Sequence, residues 1–377
     1  MKNLTKLVRE EAIRQGFSLV GVVLPDSPKS FPVYKSWVDA NYHGEMAYLA
    51  TERALGRRRT PKLILPDCQS ILVLGIHYSP PVNKKESEFG QIAAYASNLD
   101  YHEVLKPKLQ AIVKFLEKET GKSLPNRWYT DTGPILERDL AQRAGLGWIG
   151  KNSMLIHPKV GSYFILAEIF LGIQLEPISS VIIDHCGTCN RCVQACPTDC
   201  ILPDRTLDAS RCLSYLTIEK KGAIPPDLRS SVGNWIFGCD ICQQVCPWNR
   251  FAPVDVDPSF SRPFESEQFV LETEFSLSPQ EFNKKFKGSP IKRSKRRGYL
   301  RNVAVAIGNS KEADSIPALA KVLQEEEEPL IRQHATWALG QIGNQEALDL
   351  LQNAAKRELN EKVLEEIRDV LNNSFIK

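Results

Sequence analysis

The chain has 377 residues, of which 42% are hydrophobic and 25% are charged, and its formal net charge at pH 7 is +3. This composition is ordinary for a soluble globular protein, and the length predicts two to four domains. The longest apolar stretch, Tyr163 to Leu175, is interrupted by Glu168 and is too short to span a membrane. The first residues lead into a polar helix rather than a signal peptide, so we expect a cytoplasmic protein.

The first 180 residues alternate between helical and strand patterns. Strands are predicted over 18–23, 70–75 and 162–173, and a helix is predicted over 101–118. A further helical stripe stands at the start, formed by Leu4, Leu7, Val8, Ala12 and Ile13. This alternation predicts a domain of the α/β or α+β class over residues 1–180. No Gly-x-Gly-x-x-Gly follows a strand and there is no Walker lysine motif, so the sequence gives little support for a nucleotide cofactor.

Nine of the ten cysteines, all except Cys68, lie between residues 186 and 246. They form two runs, with the patterns Cys186-x2-Cys189-x2-Cys192-x3-Cys196-Pro197 and Cys239-x2-Cys242-x3-Cys246-Pro247. The first run has the spacing of bacterial ferredoxins, in which three thiolates bind one [4Fe–4S] cluster and the fourth binds the other. Residues 181–255 are therefore predicted to form a ferredoxin-like domain with two [4Fe–4S] clusters.

Two such clusters need eight thiolates, and the two runs supply seven. Cys200 and Cys212 are the candidates for the eighth. Cys200 stands where ferredoxin-like sequences carry a small core residue. We therefore predict that Cys200 is a buried core residue and that Cys212 is the eighth ligand. The crossed pattern gives two ligand sets: Cys186, Cys189, Cys192 and Cys246 for cluster one, and Cys196, Cys212, Cys239 and Cys242 for cluster two.

Zinc and disulfides are the alternative explanations of the cysteines. Zinc knuckles use pairs of Cys-x2-Cys but need no further cysteines followed by proline. Disulfides need an oxidising compartment, which the absence of a signal peptide argues against. Cys68 stands alone before a predicted strand and is expected to be a small buried hydrophobic residue.

The last third of the chain is basic at first and then repetitive. Residues 256–297 are predicted to be a linker with a short helix. Residues 284–301, which begin inside this linker, contain no acidic residue. Their cations are Lys284, Lys285, Lys287, Lys292, Arg293, Lys295, Arg296, Arg297 and Arg301. Residues 298–377 repeat with a period of about 32, since Ala306-Ile307-Gly308 matches Ala338-Leu339-Gly340. This period predicts HEAT-like helix pairs, which serve either as a stabilising cap or as a docking surface.

Several segments together resemble the epoxyqueuosine reductases over essentially the whole chain. Besides the cysteine runs, the matching segments are His43-Gly44-Glu45-Met46-Ala47-Tyr48-Leu49, Asp100-Tyr101-His102, Asp131-Thr132-Gly133-Pro134, Gly145-Leu146-Gly147-Trp148-Ile149-Gly150-Lys151-Asn152 and Leu300-Arg301-Asn302. The cysteine runs alone would be generic, whereas their combination with the other segments is specific.

The resemblance implies a cobalamin in the N-terminal domain beside the two clusters, and a fold similar to that of the reductive dehalogenases. The implied reaction is the last step of queuosine synthesis, in which the epoxide of epoxyqueuosine at the tRNA wobble position is reduced to an alkene with loss of water. A strongly reducing cofactor would carry out the hard step. The segment Asp100–Leu105 lacks the glycine of the corrinoid Asp-x-His-x-x-Gly motif, so no histidine is expected on cobalt.

The resemblance also implies a proton donor. Asp131 is the candidate acid for the epoxide oxygen, a role that needs burial to raise the pKa of its carboxyl. The alternative is that Asp131 caps a helix near Pro134. His102 could serve the substrate pocket or be a structural residue, and His185 is expected to order the cysteine loop.

Further residues are predicted to contact the corrin or the substrate. They are Arg57, Lys151, Asn152, Ser153, Ser214, Gly238 and Asp240, together with Asp131. For Arg57, a solvated basic turn is an equal alternative.

The basic segment is the predicted tRNA-binding surface, because Lys and Arg neutralise phosphates without reading the sequence. The candidates are Lys292, Arg293, Lys295, Arg296 and Arg297, with Lys220 and Lys221 near the active site. We also expect a monomer, and an external electron donor of the flavodoxin or ferredoxin class.

Three other functions compete with this interpretation. A ferredoxin-type electron-transfer module would explain the cysteines but leaves the N-terminal domain without a role. A corrinoid reductase for a small molecule is disfavoured by the basic segment and the HEAT-like tail. A non-catalytic HEAT scaffold has no need of eight ordered cysteines.

Overall fold

The computed structural model describes residues 4–80, 89–178, 182–253, 257–260 and 269–374. These residues form two compact units. The first unit contains residues 4–80, 98–178, 182–210, 240–253 and 257–260, and the second contains 89–97, 211–239 and 269–374. The predicted domain boundaries at 180/181 and 255/256 lie outside the described residues.

Strands are found mainly in the first unit. In chain order the strands are β1 (Leu19–Val23), β2 (Ser70–His77), β3 (Gln91–Ile92), β4 (Asn126–Tyr129), β5 (Trp148–Ile149), β6 (Leu155–Ile156), β7 (Phe164–Leu171) and β8 (Trp235–Phe237). Four of them form a sheet in the order β1-β2-β7-β4, in which every neighbouring pair is antiparallel. The predicted mixture of helix and strand is confirmed, and the strand directions make this sheet an α+β arrangement.

Short and long helices surround this sheet. The helices of the first unit are α1 (Leu4–Arg14), α2 (Phe31–Asp39), α3 (Glu52–Arg59), α4 (Tyr101–Thr120), α5 (Glu137–Arg143), α6 (Arg191–Gln194) and α9 (Ile241–Gln244). Helix α4 confirms the helix predicted over 101–118; the Asp100 side chain caps its first turn and Gly121 ends it in a left-handed conformation. Helix α5 packs on the sheet, where Leu140 and Ala144 join the same apolar cluster as Val73 and Phe170.

One residue of the predicted N-terminal stripe faces solvent instead of the core. Ile13 is 55% exposed, whereas Val8 and Ala12 are fully buried. Each helical residue is rotated by about 100° from the last, so Ile13 lies beyond the buried stripe of α1. Ile13 therefore belongs to the predicted stripe in sequence but not to its buried part.

The second unit is mostly helical. Its helices are α7 (Leu213–Ile218), α8 (Pro226–Val232), α10 (Leu271–Phe275), α11 (Pro279–Lys285), α12 (Lys295–Ser310), α13 (Ile316–Glu325), α14 (Pro329–Ile342), α15 (Gln345–Ala355) and α16 (Glu361–Ser374). The single short helix expected before residue 298 is wrong, because α10, α11 and the start of α12 all precede it. The boundary predicted at 297/298 falls inside α12.

Two glycines at equivalent positions of the repeat allow close helix packing. A Cβ atom on Gly308 would lie 2.6 Å from the Trp337 ring, and one on Gly340 would lie 2.6 Å from Val370. Helices α12, α14 and α16 therefore approach each other through small residues, one repeat apart.

Among the described residues, no helix combines the length and the apolar character that a membrane-spanning segment needs.

A buried Arg–Asn pair holds the centre of the second unit together. Arg301 is fully buried, and its guanidinium donates hydrogen bonds to the carbonyls of Leu216, Lys220 and Gly222. The neighbouring Asn302 is also fully buried and donates to two further carbonyls, those of Thr217 and Ile236. Helix α12 thus supports α7, the loop after it and β8 through side-chain donors.

We predict that Arg301→Ala lowers the free energy of unfolding by about 3 kcal/mol or more, because several buried carbonyls would lose their donors. Chemical denaturation followed by circular dichroism measures this change. The control is Arg368→Ala, which removes a side chain that is 60% exposed, and it should change stability by less than about 0.5 kcal/mol. Similar losses in the two variants would contradict a structural role for Arg301.

Candidate functional site

Asp131 lies in the loop between β4 and α5, in a left-handed backbone conformation with φ of +58°. Its Oδ2 accepts a hydrogen bond from the Tyr101 hydroxyl at 2.6 Å, and its backbone N–H donates to Oε1 of Glu137 at 2.6 Å. Such a backbone is uncommon outside glycine and persists where the surroundings hold it. Here the first residues of α4 and α5 hold it from two sides.

The alternative role for Asp131 as a helix cap is wrong. Helix α5 begins at Glu137, its N-cap residue is Leu136, and no side chain caps it. The Asp131 carboxylate is bonded to Tyr101 instead.

The buried carboxyl groups of this region belong to other residues. Asp131 itself is exposed, so the burial that we expected for it is wrong. Glu168 in the middle of β7 is fully buried, and Glu137 is half-buried beside it. Burial and the Asp131 carboxylate raise the pKa of Glu137 to about 8. Burial and the Glu137 charge raise the pKa of Glu168 well above its ordinary range.

An aromatic pair adjoins the carboxyl groups. The His102 ring stacks on Tyr101 with the ring centroids 4.2 Å apart, and its Nδ1 is 2.8 Å from Oδ1 of Asp100. Burial would lower the pKa of His102, but the hydrogen bond to Asp100 and the nearby carboxylates outweigh it, so the pKa is raised. The Nε2 atom is buried and has no hydrogen-bond partner among the described residues. Both roles considered for His102 remain open.

Four thiols of the first unit line a single cavity. They belong to the predicted cluster-one ligands, Cys186, Cys189, Cys192 and Cys246. Within the described part of the chain, no three His, Cys, Asp or Glu side chains form a group that could hold a single metal ion. A [4Fe–4S] cluster is a larger guest, with one thiolate at each iron, and a cavity bordered by four thiols fits it.

Polar and aromatic groups surround this cavity. The Trp148 indole N–H lies 3.5 Å from Sγ of Cys186, and Trp148 itself is fully buried. His185 packs against both Trp148 and Trp248, with centroid distances of 5.1 and 5.4 Å, as its expected role in ordering the loop requires. Hydrogen bonds to cluster sulfurs tune the reduction potential, so Trp148 is placed to do this.

The cysteines outside the ligand sets are buried. Cys68 is 2% exposed and Cys200 is 3% exposed, so both burial predictions are confirmed. Sγ of Cys200 is 3.4 Å from Sγ of Cys196. The choice of Cys212 over Cys200 as the eighth ligand stays a prediction. Cys212 lies at the N-cap of α7, and Cys239 follows β8.

Of the predicted corrin contacts, two are bonded to the cysteine loops. Lys151 Nζ donates to the carbonyls of Gly187 and Cys189, and the side-chain amide of Asn152 donates to the carbonyl of Cys242. Ser153 has a left-handed backbone, and its carbonyl accepts a hydrogen bond from Arg138.

The remaining predicted contacts are spread over several elements. Arg57 is half-buried in α3, and no hydrogen bond or ion pair of its guanidinium is found within the described ranges. Gly238 follows β8 with a φ of +68°, and its N–H donates to the Thr217 hydroxyl. Asp240 is 1% exposed at the start of α9, and Ser214 is half-buried in α7. Corrin contact stays a prediction for all of these residues.

The cations of the basic segment fall into two groups. Some are paired with acids from other elements of the second unit: Lys285 with Glu274, Arg293 with Glu219, Arg296 with Glu326 and Arg297 with Glu328. Arg301 is buried, so it does not belong to the surface. Others are exposed, and no ion pair is found for them among the described residues: Lys284, Lys287, Lys292 and Lys295. Lys221 is exposed and Lys220 is half-buried.

Sequence reasoning missed Glu137, Glu168 and Trp148 as members of the site. One signal for Glu168 was available, since it is the acidic residue that interrupts the longest apolar stretch. A carboxyl group inside a buried strand is costly unless it is paired or protonated. Glu137 gave no such signal, because acidic residues are ordinary in the first turn of a helix.

Comparison with known proteins adds the family. Residues 58–132 match the family described as epoxyqueuosine reductase QueG, DUF1730. Residues 185–249 match a 4Fe-4S double cluster binding domain, and residues 293–372 match HEAT repeats.

Similar proteins cover nearly the whole chain. An epoxyqueuosine reductase of Cyclobacterium marinum is 41% identical over 301 residues, which are 79% of this chain and 95% of that protein. A crystal structure of an epoxyqueuosine reductase with an epoxyqueuosine-modified tRNA-Tyr stem loop is 31% identical with a TM-score of 0.89, and 98% of each chain is covered. A Bacillus subtilis epoxyqueuosine reductase, whose catalytic aspartate loop is swung out of the active site in that structure, is 30% identical with a TM-score of 0.88 and the same coverage.

The identity to relatives over most of their length, the QueG match and the double cluster domain agree with the site geometry, and the chain therefore belongs to the epoxyqueuosine reductase family.

Proposed function

We propose that this chain reduces epoxyqueuosine in tRNA to queuosine, with the Asp131 carboxyl as the proton donor to the epoxide oxygen. The observation that carries this role is the Asp131 loop, in which a left-handed backbone and two short hydrogen bonds present one carboxyl group outward. Two ionisable groups that interact with this loop, Glu137 and His102, have raised pKa values, and that of Glu137, about 8, keeps a proton available near the loop at neutral pH.

The reaction sets the demands on the site. Conversion of an epoxide to an alkene and water takes two electrons and two protons. A positioned acid lowers the barrier to carbon–oxygen cleavage because it neutralises the charge that develops on the oxygen. The Tyr101 hydroxyl orients the Asp131 carboxyl by donating to Oδ2, and Oδ1 is left to meet the substrate.

Two [4Fe–4S] clusters and a cobalamin form the electron path of the proposal. Cluster one would be held by Cys186, Cys189, Cys192 and Cys246, and cluster two by Cys196, Cys212, Cys239 and Cys242. Cobalamin supplies a strong reductant when it is bound. The residues predicted to contact it are Arg57, Lys151, Asn152, Ser153, Ser214, Gly238 and Asp240. The Arg57 guanidinium, which has no hydrogen bond or ion pair to the part of the chain that the structure describes, fits such a contact.

The substrate and partners complete the proposal. The tRNA phosphates would meet the exposed cations Lys292 and Lys295, with Arg293, Arg296, Arg297, Lys220 and Lys221 as further candidates. Three of these, Arg293, Arg296 and Arg297, are already paired with glutamates. Each would have to bind a phosphate in addition to its glutamate. An external flavodoxin or ferredoxin would supply electrons to a monomeric, cytoplasmic enzyme.

We predict that Asp131→Asn keeps iron, cobalamin and tRNA binding but lowers the single-turnover rate by about 10²- to 10⁴-fold, the usual contribution of a general acid. The amide has nearly the same shape and still accepts the Tyr101 hydrogen bond, so the loss reports the missing proton. Mass spectrometry of the modified nucleoside measures turnover. A variant that converts the substrate at the wild-type rate would remove Asp131 from this role.

We predict that Cys212→Ser loses about half of the roughly eight irons per chain, because one cluster would lack a thiolate. Cys200→Ser is the matched control and should retain them all, since Cys200 is treated as packing. Iron analysis of anaerobically reconstituted protein measures both. The opposite order of iron losses would exchange the roles of Cys200 and Cys212.

We predict that Lys292→Ala and Lys295→Ala each reduce the slope of log binding constant against log salt by about 1, because each removes one phosphate contact. Fluorescence anisotropy with a labelled tRNA stem loop measures the slope. Lys321→Ala is the control, because Lys321 is also exposed in the second unit but lies on α13 beside Glu325. Unchanged slopes for both variants would place the tRNA elsewhere.

A further inference from the structure

Two carboxyl groups of the first unit form a pair beside the Asp131 loop. Oε1 of Glu137 accepts the Asp131 N–H at 2.6 Å, and the Glu137 and Glu168 carboxyls are near enough for each to shift the pKa of the other. Glu168 is fully buried, and neither of its oxygens receives a hydrogen bond from an N–H or O–H donor of the described residues. In the sheet it lies opposite Val73 on one side and Tyr129 on the other.

A fully buried carboxylate that receives no hydrogen bond is costly, and Glu168 is fully buried with no partner for either oxygen among the described residues, so it is expected to be protonated. Ionised carboxylates only accept, and two such charges in contact repel each other strongly in a buried site. The pKa values of both groups are raised, chiefly by burial, and that of Glu137 reaches about 8. At neutral pH the pair therefore holds at least one proton that no other group accounts for.

We propose that the Glu137–Glu168 pair is a proton reserve that supplies the second proton of the reduction through Asp131. This inference rests on the proposed function, in which Asp131 gives the first proton. Glu137 contacts the backbone of the loop and Glu168 lies buried in β7, so both act through Asp131 and not on the substrate.

The proton count of the reaction matches the site. Asp131 gives its proton to the oxygen when the first carbon–oxygen bond breaks, which leaves a hydroxyl group. The pair then returns a proton to Asp131, which gives it to the hydroxyl when the second bond breaks and water leaves. Two electrons from the external donor form the carbon–carbon π bond. Two protons and two electrons are consumed for each epoxide, and the pair is recharged from solvent.

Other charged groups act on the pair from neighbouring elements. The negative charge of Asp131 raises the pKa of Glu137 and so favours its protonated form. The positive charge of Arg138 on α5 lowers the pKa of Glu137 and opposes this effect. His102 on α4 interacts with both Asp131 and Glu137. Since the folded state raises these pKa values, the native protein binds more protons than the unfolded chain above about pH 4.5, the ordinary pKa of Glu, and stability falls as the pH rises from there through the Glu137 pKa of about 8.

The test compares Glu168→Gln and Glu137→Gln with the wild type in the reconstituted holoenzyme. Both amides preserve shape, and the amide oxygen that Glu137→Gln introduces can still accept the Asp131 N–H. Asp139→Asn is the matched control, because Asp139 is a buried carboxylate of the same helix that is paired with Arg143 instead. Single-turnover rates with an epoxyqueuosine-containing stem loop are measured from about pH 6 to pH 9.

We expect both Gln variants to lose at least about tenfold in rate near pH 8 and to have their basic limb displaced to lower pH, whereas Asp139→Asn keeps the wild-type profile. Infrared spectra of the wild type and of Glu168→Gln, both recorded without substrate, are subtracted from each other. The C=O stretch of a protonated carboxyl should be present in the wild type and absent from Glu168→Gln. The fall in melting temperature with rising pH should also be shallower in Glu168→Gln.

A merely structural Glu168 would change the melting temperature but leave the pH profile of the rate unmoved, and that result overturns the proposal. An infrared spectrum that is the same in Glu168→Gln and the wild type overturns it as well. The proposed function and the proton reserve can be refuted separately. A wild-type enzyme that leaves the stem loop unreduced refutes the proposed function and with it the delivery step, while the infrared spectrum still decides whether the pair shares a proton.

Discussion

The buried carboxyl of Glu168 is the constraint on which the arrangement of the first unit depends. An ionised carboxylate in the middle of β7 would be costly, so the group must be protonated or paired. Glu137, the first residue of α5, interacts electrostatically with it, and the same residue holds the backbone of Asp131. One buried acidic residue thereby links the central sheet, a helix and the loop that carries the proposed acid.

The second unit depends on a different kind of buried polar group. Arg301 and Asn302 satisfy backbone carbonyls of α7, of the loop after it and of β8, which are the elements next to Cys212 and Cys239. The same helix, α12, begins with exposed cations. A short stretch of sequence therefore carries both an internal support and the proposed tRNA-binding surface, and burial separates the two roles.

The cysteine segment was the most predictable part of the molecule. Its ligands follow each other at spacings of two and three residues, and such short loops bring thiols together with little help from the rest of the fold. One cavity is lined by Cys186, Cys189, Cys192 and Cys246, the four residues predicted for cluster one, and the crossed ligand pattern stays a prediction. The long strands and α4 were also predicted, because their apolar periodicity is local, whereas strand direction is set by how distant segments pair.

The sequence by itself determined the mixed fold class, the repeat, the cluster motif and the family, since each depends on residues close together or on many matched segments. It did not reveal which carboxyl groups are buried or which cations of the basic segment are exposed. Asp131 is exposed and Glu168 is buried, and Arg301 is internal although its neighbours in the run are not. Only the tertiary structure decided these points, because the protonation and pairing of a charged group depend on what lies around it in space.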